Sequence, residues 1–244
     1  MLQACLNGDR RKSFSPAVPC TPDELARDAR AGVDAGADEL HVHPRDAQGL
    51  ETLEPACVSV ALDAMRNSAP GVPIGLSTRW AIQPSGRARQ QPIAAWSVLP
   101  NYVSVNLIED DAPEVISLVL SKGIGVEAGL WSQQDAKRLA ALDNAPRCLR
   151  VLIEINEQDE QEGRAVAMAI VEILDGANLK MPRLLHGLDK TKWPLFRQAV
   201  SLGLDTRIGF EDGASLPNGE TAKDNASLIA AARRILRSGH ARHG

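Results

Sequence analysis

Short apolar segments alternate with helical patterns along nearly the whole chain, and this alternation constrains the fold more than any other feature. Eight segments have the length and apolar character of buried strands: 2–6, 39–43, 72–77, 102–106, 125–130, 149–155, 183–186 and 206–210. Helical patterns fill the gaps at 25–33, 58–66, 112–121, 134–142, 163–174, 193–202 and 222–237, and the gap after the third strand has the weakest pattern. The first helix has clear limits, because Thr21 can cap it, Pro22 suits its first turn and Gly36 can end it.

This order of segments predicts a parallel sheet, because parallel neighbours need a long crossover connection that is usually helical. With no obvious linker in 244 residues, it predicts a single (β/α)8 barrel domain over residues 1–244. An open doubly wound sheet is the alternative. The chain contains neither Gly-x-Gly-x-x-Gly nor Gly-x-x-x-x-Gly-Lys-Ser/Thr, which disfavours dinucleotide-binding proteins and P-loop NTPases.

Composition and charge disfavour several classes of function. A hydrophobic content of 44% is enough for a large core, and a net charge of −4 disfavours broad affinity for nucleic acid or anionic membranes. No run reaches the roughly 18 apolar residues of a membrane span, and the start of the chain lacks a signal-peptide pattern. We therefore expect a cytoplasmic protein whose four scattered cysteines are reduced.

The segment His41-Val42-His43-Pro44-Arg45 places two histidines two residues apart at the end of a predicted strand. Side chains two apart on a strand point the same way, so His41 and His43 can reach one ion together. Neutral imidazole is a common ligand of Zn²⁺ and related ions. The alternative is that both are merely hydrogen-bonded at a strand end.

The last predicted strand runs into Arg207-Ile208-Gly209-Phe210-Glu211-Asp212. In a barrel this strand neighbours the first, so its end lies near the early strands. Glu211 is therefore the predicted third metal ligand, and two histidines with one carboxylate leave a position open for substrate or water. Asp212 is a candidate general base whose pKa Arg207 would influence. A solvated Glu211 and an ordinary Arg207–Asp212 ion pair are the alternatives.

Other polar residues also lie at predicted strand ends, where barrel enzymes collect their functional groups. Ser77 and Thr78 can donate hydrogen bonds to a bound carboxylate, and we favour binding over nucleophilic roles for them. Ser104 and Asn106 share a strand face and could orient a substrate, although polar layers inside a barrel are an alternative. Strand ends also supply Asn7, Glu127 and His186.

Several of these segments together resemble the β-keto acid cleavage enzymes, which include 3-keto-5-aminohexanoate cleavage enzyme. The resemblance is carried by Leu6-Asn7-Gly8, Pro19-Cys20-Thr21-Pro22, Gly36-Ala37, His41-Val42-His43-Pro44-Arg45-Asp46 and Arg207-Ile208-Gly209-Phe210-Glu211-Asp212. The His-x-His and Gly-Phe-Glu-Asp elements are its specific parts. The resemblance implies a zinc-dependent (β/α)8 enzyme that combines a β-keto acid with acetyl-CoA to give acetoacetate and a new acyl-CoA.

The resemblance also implies roles for individual residues. His41, His43 and Glu211 would hold zinc, and Arg207 and Asp212 would assist proton transfer. A further list of residues follows from matching positions and from the strand-end argument: Glu127 as a catalytic acid, and Asn7, Arg10, Ser77, Thr78, Ser104 and Asn106 as substrate contacts. Acetyl-CoA would be a cosubstrate, and the protein would be a homo-oligomer.

The chain departs from the family pattern at two positions. Arg10 stands where the aminohexanoate-cleaving members place a glutamate that can meet a substrate ammonium group, so we expect an anionic or neutral distal group in the substrate. Gly129 stands where the family has a second acid, which leaves Glu127 alone on the fifth strand. The alternative functions are another metal-dependent aldolase or hydrolase, or a barrel that binds a metal or small anion without catalysis.

Overall fold

A computed structural model describes residues 1–240 of the chain. Within this range eight strands alternate with eight α-helices. The strands are β1 Leu2–Cys5, β2 Glu39–Val42, β3 Ile74–Ser77, β4 Tyr102–Asn106, β5 Gly125–Leu130, β6 Arg150–Ile155, β7 Arg183–Gly187 and β8 Thr206–Ile208. The helices are α1 Pro22–Asp34, α2 Pro55–Ser68, α3 Arg87–Ala95, α4 Ala112–Ser121, α5 Gln133–Ala140, α6 Glu160–Gly176, α7 Lys192–Ser201 and α8 Asn225–His240.

The strands form one parallel sheet in the order β7-β6-β5-β4-β3-β2-β1-β8. The two outer strands meet through Asp205, whose N–H donates to the Arg183 carbonyl at 3.0 Å and whose carbonyl accepts from the Leu185 N–H at 3.0 Å. These bonds close the sheet on itself. The predicted (β/α)8 barrel is therefore confirmed, and the open doubly wound alternative is wrong.

All eight predicted strands are present, and their limits shift by no more than two residues. The first helix begins at a capping box, in which Thr21 accepts from the Glu24 N–H and the Glu24 carboxylate accepts from the Thr21 N–H. It ends before Gly36, whose φ of +112° lies in a region that few other residues adopt.

The helix α3 was missed by the sequence analysis, for identifiable reasons. Its N-cap is Gly86, which has no side chain to cap it, and Pro92 interrupts its hydrogen bonding. The residues that it buries are Arg89 and Ile93, so an arginine occupies a position where a helical pattern needs an apolar residue. Arg89 is buried because Glu109 and Asp111 both pair with its guanidinium.

Alternation along the strands separates an apolar shell from a polar barrel interior. Residues such as Leu40, Val42, Val103 and Val105 point outward and join the hydrophobic core beneath the helices. Their neighbours point into the barrel, and many are polar, including a buried set of Gln3, His41, Ser104, Glu127, Arg150, His186 and Arg207. Buried polar side chains such as these need hydrogen-bond or ion-pair partners inside the barrel.

The lower part of the barrel is filled by a hydrogen-bonded network around Arg150. This guanidinium pairs with Glu39 from across the barrel, and its Nε lies 2.9 Å from Glu127 Oε1. Gln3 donates to the same Glu127 oxygen at 2.7 Å and to the Tyr102 hydroxyl at 3.0 Å. The network closes the barrel below, so a ligand can reach the interior at the carboxyl ends of the strands.

Two further findings concern the described residues as a whole. Among residues 1–240, no helix has the length and apolar character needed to cross a membrane. Cys5, Cys20, Cys57 and Cys148 all have free thiols, as predicted.

Candidate metal centre and its surroundings

His41 on β2 and His43 directly after β2 both point into the barrel mouth, as the strand periodicity predicts. His41 is 1% exposed and His43 is 3% exposed, and their ring centroids lie 5.5 Å apart. Asn7, at the end of β1, fixes the backbone here: its carboxamide accepts from the His43 N–H at 2.9 Å and donates to the His43 carbonyl at 2.9 Å. Asn7 also donates to the Pro19 carbonyl, so its amide is already fully engaged, and its predicted contact with substrate stays a prediction.

The loop after β8 brings Glu211 to the same place, because β8 pairs with β1 and β1 pairs with β2. Glu211 Oε1 lies 3.5 Å from His43 Nε2, and Glu211 Oε2 lies 4.0 Å from His41 Nε2. One ligand atom from each of the three residues lies within 4.8 Å of the others. The predicted convergence of His41, His43 and Glu211 is therefore present.

The donor atoms fit a divalent metal ion. His43 Nε2 and Glu211 Oε2 are buried and have no hydrogen-bond partner among the described residues, a costly arrangement unless a ligand satisfies them. Burial lowers the pKa of His41 to about 3, which keeps its imidazole neutral and able to coordinate. Two imidazoles and one carboxylate suit Zn²⁺ and leave coordination positions open.

Electrostatics keep the third ligand ionised. Burial raises the pKa of Glu211, but the positive charge of Arg207, together with contacts to the two histidines, outweighs that effect and holds its pKa well below the ordinary value. Arg207 donates to Glu211 Oε1 at 2.9 Å. The carboxylate is therefore available as an anionic ligand.

A carboxylate that the sequence analysis missed orients His43. Glu51 Oε1 lies 2.5 Å from His43 Nδ1, so the Nδ1–H donates to it and Nε2 is left free to face Glu211. Arg79 donates to the other Glu51 oxygen at 2.8 Å and to Asp9 at 3.2 Å. The Arg79 guanidinium is thus occupied in holding Glu51.

The local sequence explains why Glu51 lies here. The Asp46 side chain accepts from the N–H groups of Gln48 and Leu50, and Gly49 adopts a φ of +75°. This turn reverses the chain, and an antiparallel bridge then pairs Glu51 with Arg45. The Asp-x-x-Gly turn that begins three residues after His43 was therefore the signal that could have located Glu51.

Glu127 lies behind His41, on the side away from Glu211. Its Oε2 is 4.0 Å from His41 Nδ1, and its Oε1 is held by Arg150 and Gln3. Burial raises the pKa of Glu127. This position suits an electrostatic influence on His41 better than contact with a substrate, and the predicted catalytic role stays a prediction.

Arg207 and Asp212 form a buried charged pair beside the three candidate ligands. Arg207 is 2% exposed and Asp212 is fully buried, and a guanidinium nitrogen lies 3.4 Å from Asp212 Oδ1. Both carboxylate oxygens of Asp212 lack a hydrogen-bond partner among residues 1–240. Asp212 is thus an unsatisfied acceptor next to the candidate metal centre.

His186 and Glu154 complete this charged cluster. His186 Nδ1 lies 3.1 Å from Asp212 Oδ1, and His186 Nε2 lies 3.4 Å from Glu154 Oε2. Burial and the Arg207 charge lower the pKa of His186, but the two nearby carboxylates, Asp212 and Glu154, raise it above the ordinary value. The sequence analysis did not identify Glu154, although a glutamate within the apolar run of β6 was a signal that it faces the barrel interior.

The remaining predicted substrate contacts follow the next two strands. Ser77 pairs in register with Ser104, and both are buried facing the interior. Thr78 instead donates its hydroxyl to the Ser104 carbonyl at 2.7 Å, which occupies it structurally. Asn106 donates to Glu109 at 3.3 Å, and its Oδ1 fills the space beside Gly129, where an added Cβ would come within 2.3 Å. The structure thus gathers Ser77, Ser104 and Asn106 along one wall.

Arg10 lies on the opposite rim, close to the candidate third ligand. Its Nε donates to the Glu211 carbonyl at 3.4 Å, and its guanidinium donates to Asp189 at 2.8 Å. The guanidinium also lies 4.5 Å above the Phe14 ring. Lys192, a cation that sequence analysis missed, is 3% exposed nearby, where it donates to Ser215 at 2.6 Å.

Comparisons with known proteins show what this chain is similar to. The family model described as beta-keto acid cleavage enzyme matches residues 1–156 and 158–242. The chain is 23% identical over 233 residues to a 3-keto-5-aminohexanoate cleavage enzyme of Acetoanaerobium sticklandii, an alignment that covers 89% of this chain and 84% of that protein. It is also 23% identical to a 3-oxoadipate:acetyl-CoA acetyltransferase of Cupriavidus necator, with 90% and 81% of the two chains covered.

Solved structures support the fold. The apo structure of ObcA aligns with a TM-score of 0.71 at 16% identity, and a ternary complex of ObcA with a C4-CoA adduct and oxalate aligns with a TM-score of 0.74 at 15% identity. Each alignment covers 92% of this chain. The chain spans 62% to 64% of the length of those ObcA chains.

Proposed function

Because the chain belongs to the β-keto acid cleavage enzyme family, we propose that it is a zinc-dependent enzyme that exchanges acyl groups between a β-keto acid and acetyl-CoA. The reaction is R–CO–CH2–COO⁻ + CH3–CO–SCoA → CH3–CO–CH2–COO⁻ + R–CO–SCoA. The CH2–COO⁻ unit forms one carbon–carbon bond to the acetyl carbonyl and loses another to the R–CO group, while the thiolate moves from acetyl to R–CO. Atoms and charge balance without a redox cofactor.

One observation carries this proposal: His41, His43 and Glu211 converge beside a buried Arg207–Asp212 pair at the barrel mouth. Three protein ligands with open positions are typical of catalytic rather than structural zinc sites. When bound there, a zinc ion supplies Lewis acidity toward carbonyl groups. The chemistry also needs a base and a way to keep that base charged.

Asp212 is the proposed base. Removal of a proton from the CH2 group between two carbonyls generates the carbon nucleophile, and the unpartnered carboxylate oxygens of Asp212 are able to accept that proton. Arg207 lies between Asp212 and Glu211, and its positive charge holds the pKa of Glu211 well below the ordinary value. The same guanidinium can donate to developing negative charge on a substrate oxygen.

His186 is proposed to position Asp212. It lies 3.1 Å from Asp212 on one side and 3.4 Å from Glu154 on the other. A histidine held between two carboxylates can share or accept a proton, so it can return Asp212 to its ionised state after each transfer. Glu154 would stabilise the positive charge of the imidazolium.

The proposed substrate has a distal group that is anionic or neutral. Arg10 supports this, because its guanidinium approaches the Glu211 backbone and therefore lies within reach of a substrate at the metal centre. Asp189 offsets part of the Arg10 charge, which leaves room for a neutral group as well as a carboxylate. An ammonium group would be repelled here.

The test is an assay of purified, zinc-loaded protein with acetyl-CoA carrying ¹³C in both acetyl carbons and a panel of β-keto acids. We expect acetoacetate labelled only in its methyl and keto carbons, together with one equivalent of R–CO–SCoA. Release of free acetate or of R–COOH without acyl exchange would indicate a hydrolase, and cleavage without thioester would indicate an aldolase. Binding of metal with no turnover across the panel would contradict the proposal in favour of a binding protein.

A further inference from the structure

A buried asparagine at the start of α8 has no part in the proposed reaction, yet it is bonded to the backbone beside the candidate metal centre. Asn225 is the first residue of α8 and is fully buried. Asparagine is a common helix cap, but Asp224 caps this helix, because its carboxylate accepts from the Ser227 N–H at 2.8 Å. The Asn225 side chain is therefore not needed to begin the helix.

Asn225 links three segments of the chain. Its Nδ2 donates to the Leu6 carbonyl at 2.7 Å and to the Asp28 carboxylate at 2.6 Å. Its Oδ1 accepts from the Phe210 N–H at 2.7 Å. A backbone carbonyl only accepts and a backbone N–H only donates, so these partners fix which end of the amide faces each segment. The amide thus connects the end of β1, helix α1 and the loop after β8.

On one side, Asn225 holds the backbone that carries the candidate third ligand. The β1–β8 ladder ends at Ile208. Beyond it, the Glu211 N–H lies 3.4 Å from the Cys5 carbonyl, which is long for such a hydrogen bond. The bond from the Phe210 N–H to Asn225 is shorter, and Phe210 directly precedes Glu211. The amide therefore fixes this segment where the ladder no longer does.

On the other side, Asn225 holds the end of β1 that supports both candidate histidine ligands. The Leu6 N–H donates to the His41 carbonyl at 3.0 Å, and the Leu6 carbonyl accepts from Asn225. The next residue is Asn7, whose carboxamide donates to and accepts from the His43 backbone. A shift of the β1 end would therefore move His41 and His43 as well.

The distances at the metal centre leave little tolerance for such a shift. His43 Nε2 and His41 Nε2 lie 3.5 Å and 4.0 Å from the two Glu211 oxygens. Two atoms that each lie about 2.0 to 2.2 Å from one tetrahedral ion are about 3.3 to 3.6 Å apart. Binding sites need their ligands held within about 0.5 Å. A wider gap between β1 and the loop after β8 would therefore separate the carboxylate from the imidazoles.

We propose that Asn225 is a positioning residue of the metal centre, which fixes the separation between Glu211 and the two histidines through the backbone on either side. The inference rests on the metal centre of the proposed function. Asp28 contributes, because its carboxylate holds the second N–H of the amide. A residue that serves only packing would affect stability and leave the geometry around a bound ion unchanged.

The substitution Asn225→Ala tests this role, because it removes all three hydrogen bonds and leaves every candidate ligand in place. Competition with a chromophoric chelator measures the Kd for Zn²⁺, and the absorption spectrum of bound Co²⁺ reports the ligand geometry. We expect the Kd for Zn²⁺ to rise about tenfold, the lower end of the range for groups that orient metal ligands. The Co²⁺ bands should change in position and intensity.

The matched control is Asp224→Ala, one residue earlier in the chain. It removes the cap of α8 and should lower Tm, but it breaks none of the bonds between β1 and the loop after β8. We expect the wild-type Kd for Zn²⁺ and the wild-type Co²⁺ spectrum in this variant. The control therefore separates the stability of the helix from the position of the ligands.

The substitution Asn225→Leu covers the case in which Asn225→Ala does not fold. Leucine has nearly the shape of asparagine, so it leaves no cavity while it removes the same three hydrogen bonds. We expect a raised Kd for Zn²⁺ and an altered Co²⁺ spectrum here as well. Circular dichroism of all variants checks the fold.

The positioning role and the proposed reaction fail separately. Values of the Zn²⁺ Kd within twofold of the wild type in both Asn225 variants, with an unchanged Co²⁺ spectrum, would overturn the positioning role even if the wild type exchanges acyl groups. An equal loss of affinity in Asp224→Ala would assign the effect to α8 as a whole and overturn it too. Weakened metal binding in the Asn225 variants, without acyl exchange by the wild type, would support the positioning role and contradict the reaction.

Discussion

The contact between Glu51 and His43 predicts that removal of the Glu51 charge weakens metal binding at the site. The substitution Glu51→Gln keeps the size and an acceptor oxygen but removes the negative charge that the His43 Nδ1–H meets at 2.5 Å. Both side chains are mostly shielded, with exposures of 3% and 12%, so solvent does not replace the lost interaction. Loss of such a carboxylate behind a ligating histidine lowers metal affinity about 10- to 100-fold. This corresponds to about 1.4 to 2.8 kcal/mol.

The assay is competition for Zn²⁺ against a chromophoric chelator, with Co²⁺ absorption as a readout of ligand geometry. The matched control is Asp9→Asn, because Asp9 contacts the same Arg79 guanidinium at 3.2 Å but does not touch His43. We expect wild-type affinity in that variant. If Glu51→Gln bound Zn²⁺ within twofold of the wild type, or if Asp9→Asn lost as much affinity, the argument that Glu51 orients a metal ligand would be refuted.

Three further predictions concern catalysis, specificity and pH. Asp212→Asn should lower kcat about 10²- to 10⁴-fold, because it removes the proposed base, while Zn²⁺ affinity is retained. Steady-state kinetics measures the fall in kcat, and metal analysis of the same sample shows whether a loss of metal causes it. Arg10→Glu should shift the kcat/KM ratio toward β-keto acids with a distal ammonium group and away from dicarboxylic ones, and an unchanged ratio would exclude Arg10 from substrate recognition. Burial raises the pKa of Asp28 to about 7, so the folded protein holds a proton that the unfolded chain releases near pH 3.8, and stability contributed by this group falls as the pH rises through that range. Asp28→Asn should therefore raise Tm by an amount that grows between about pH 4 and pH 7 and levels off above pH 7. A constant Tm difference between pH 4 and pH 7 would refute the raised pKa.

Local patterns were sufficient to predict the barrel. Strand periodicity, helix caps and crossover spacing are properties of short segments, and the parallel order follows from the need for a helix between neighbouring strands. They failed at α3, where a buried Arg89 stabilises the helix through Glu109 and Asp111. Those partners lie 20 and 22 residues away, so no local pattern could indicate that an arginine belongs on the buried face.

The candidate metal ligands were predictable for a similar reason. His41 and His43 share a face because of strand geometry, and Glu211 joins them because the last strand of a closed barrel lies beside the first. The residues around them were less accessible. Glu51 reaches His43 through a turn, and Glu154 meets His186 only because β6 and β7 pair in register at those two residues.

The sequence by itself determined which segments become strands and helices, and therefore which side chains stand at the barrel mouth. The tertiary structure decided what those side chains contact. Arginines are usually exposed at the surface, yet the folded chain buries Arg45 beside the Gly8 turn. Asn7 has the character of a ligand-binding residue, yet it is fully engaged with the backbone around His43. The physical reason is that periodicity fixes the direction of a side chain, whereas its partners, burial and charge depend on residues distant in sequence.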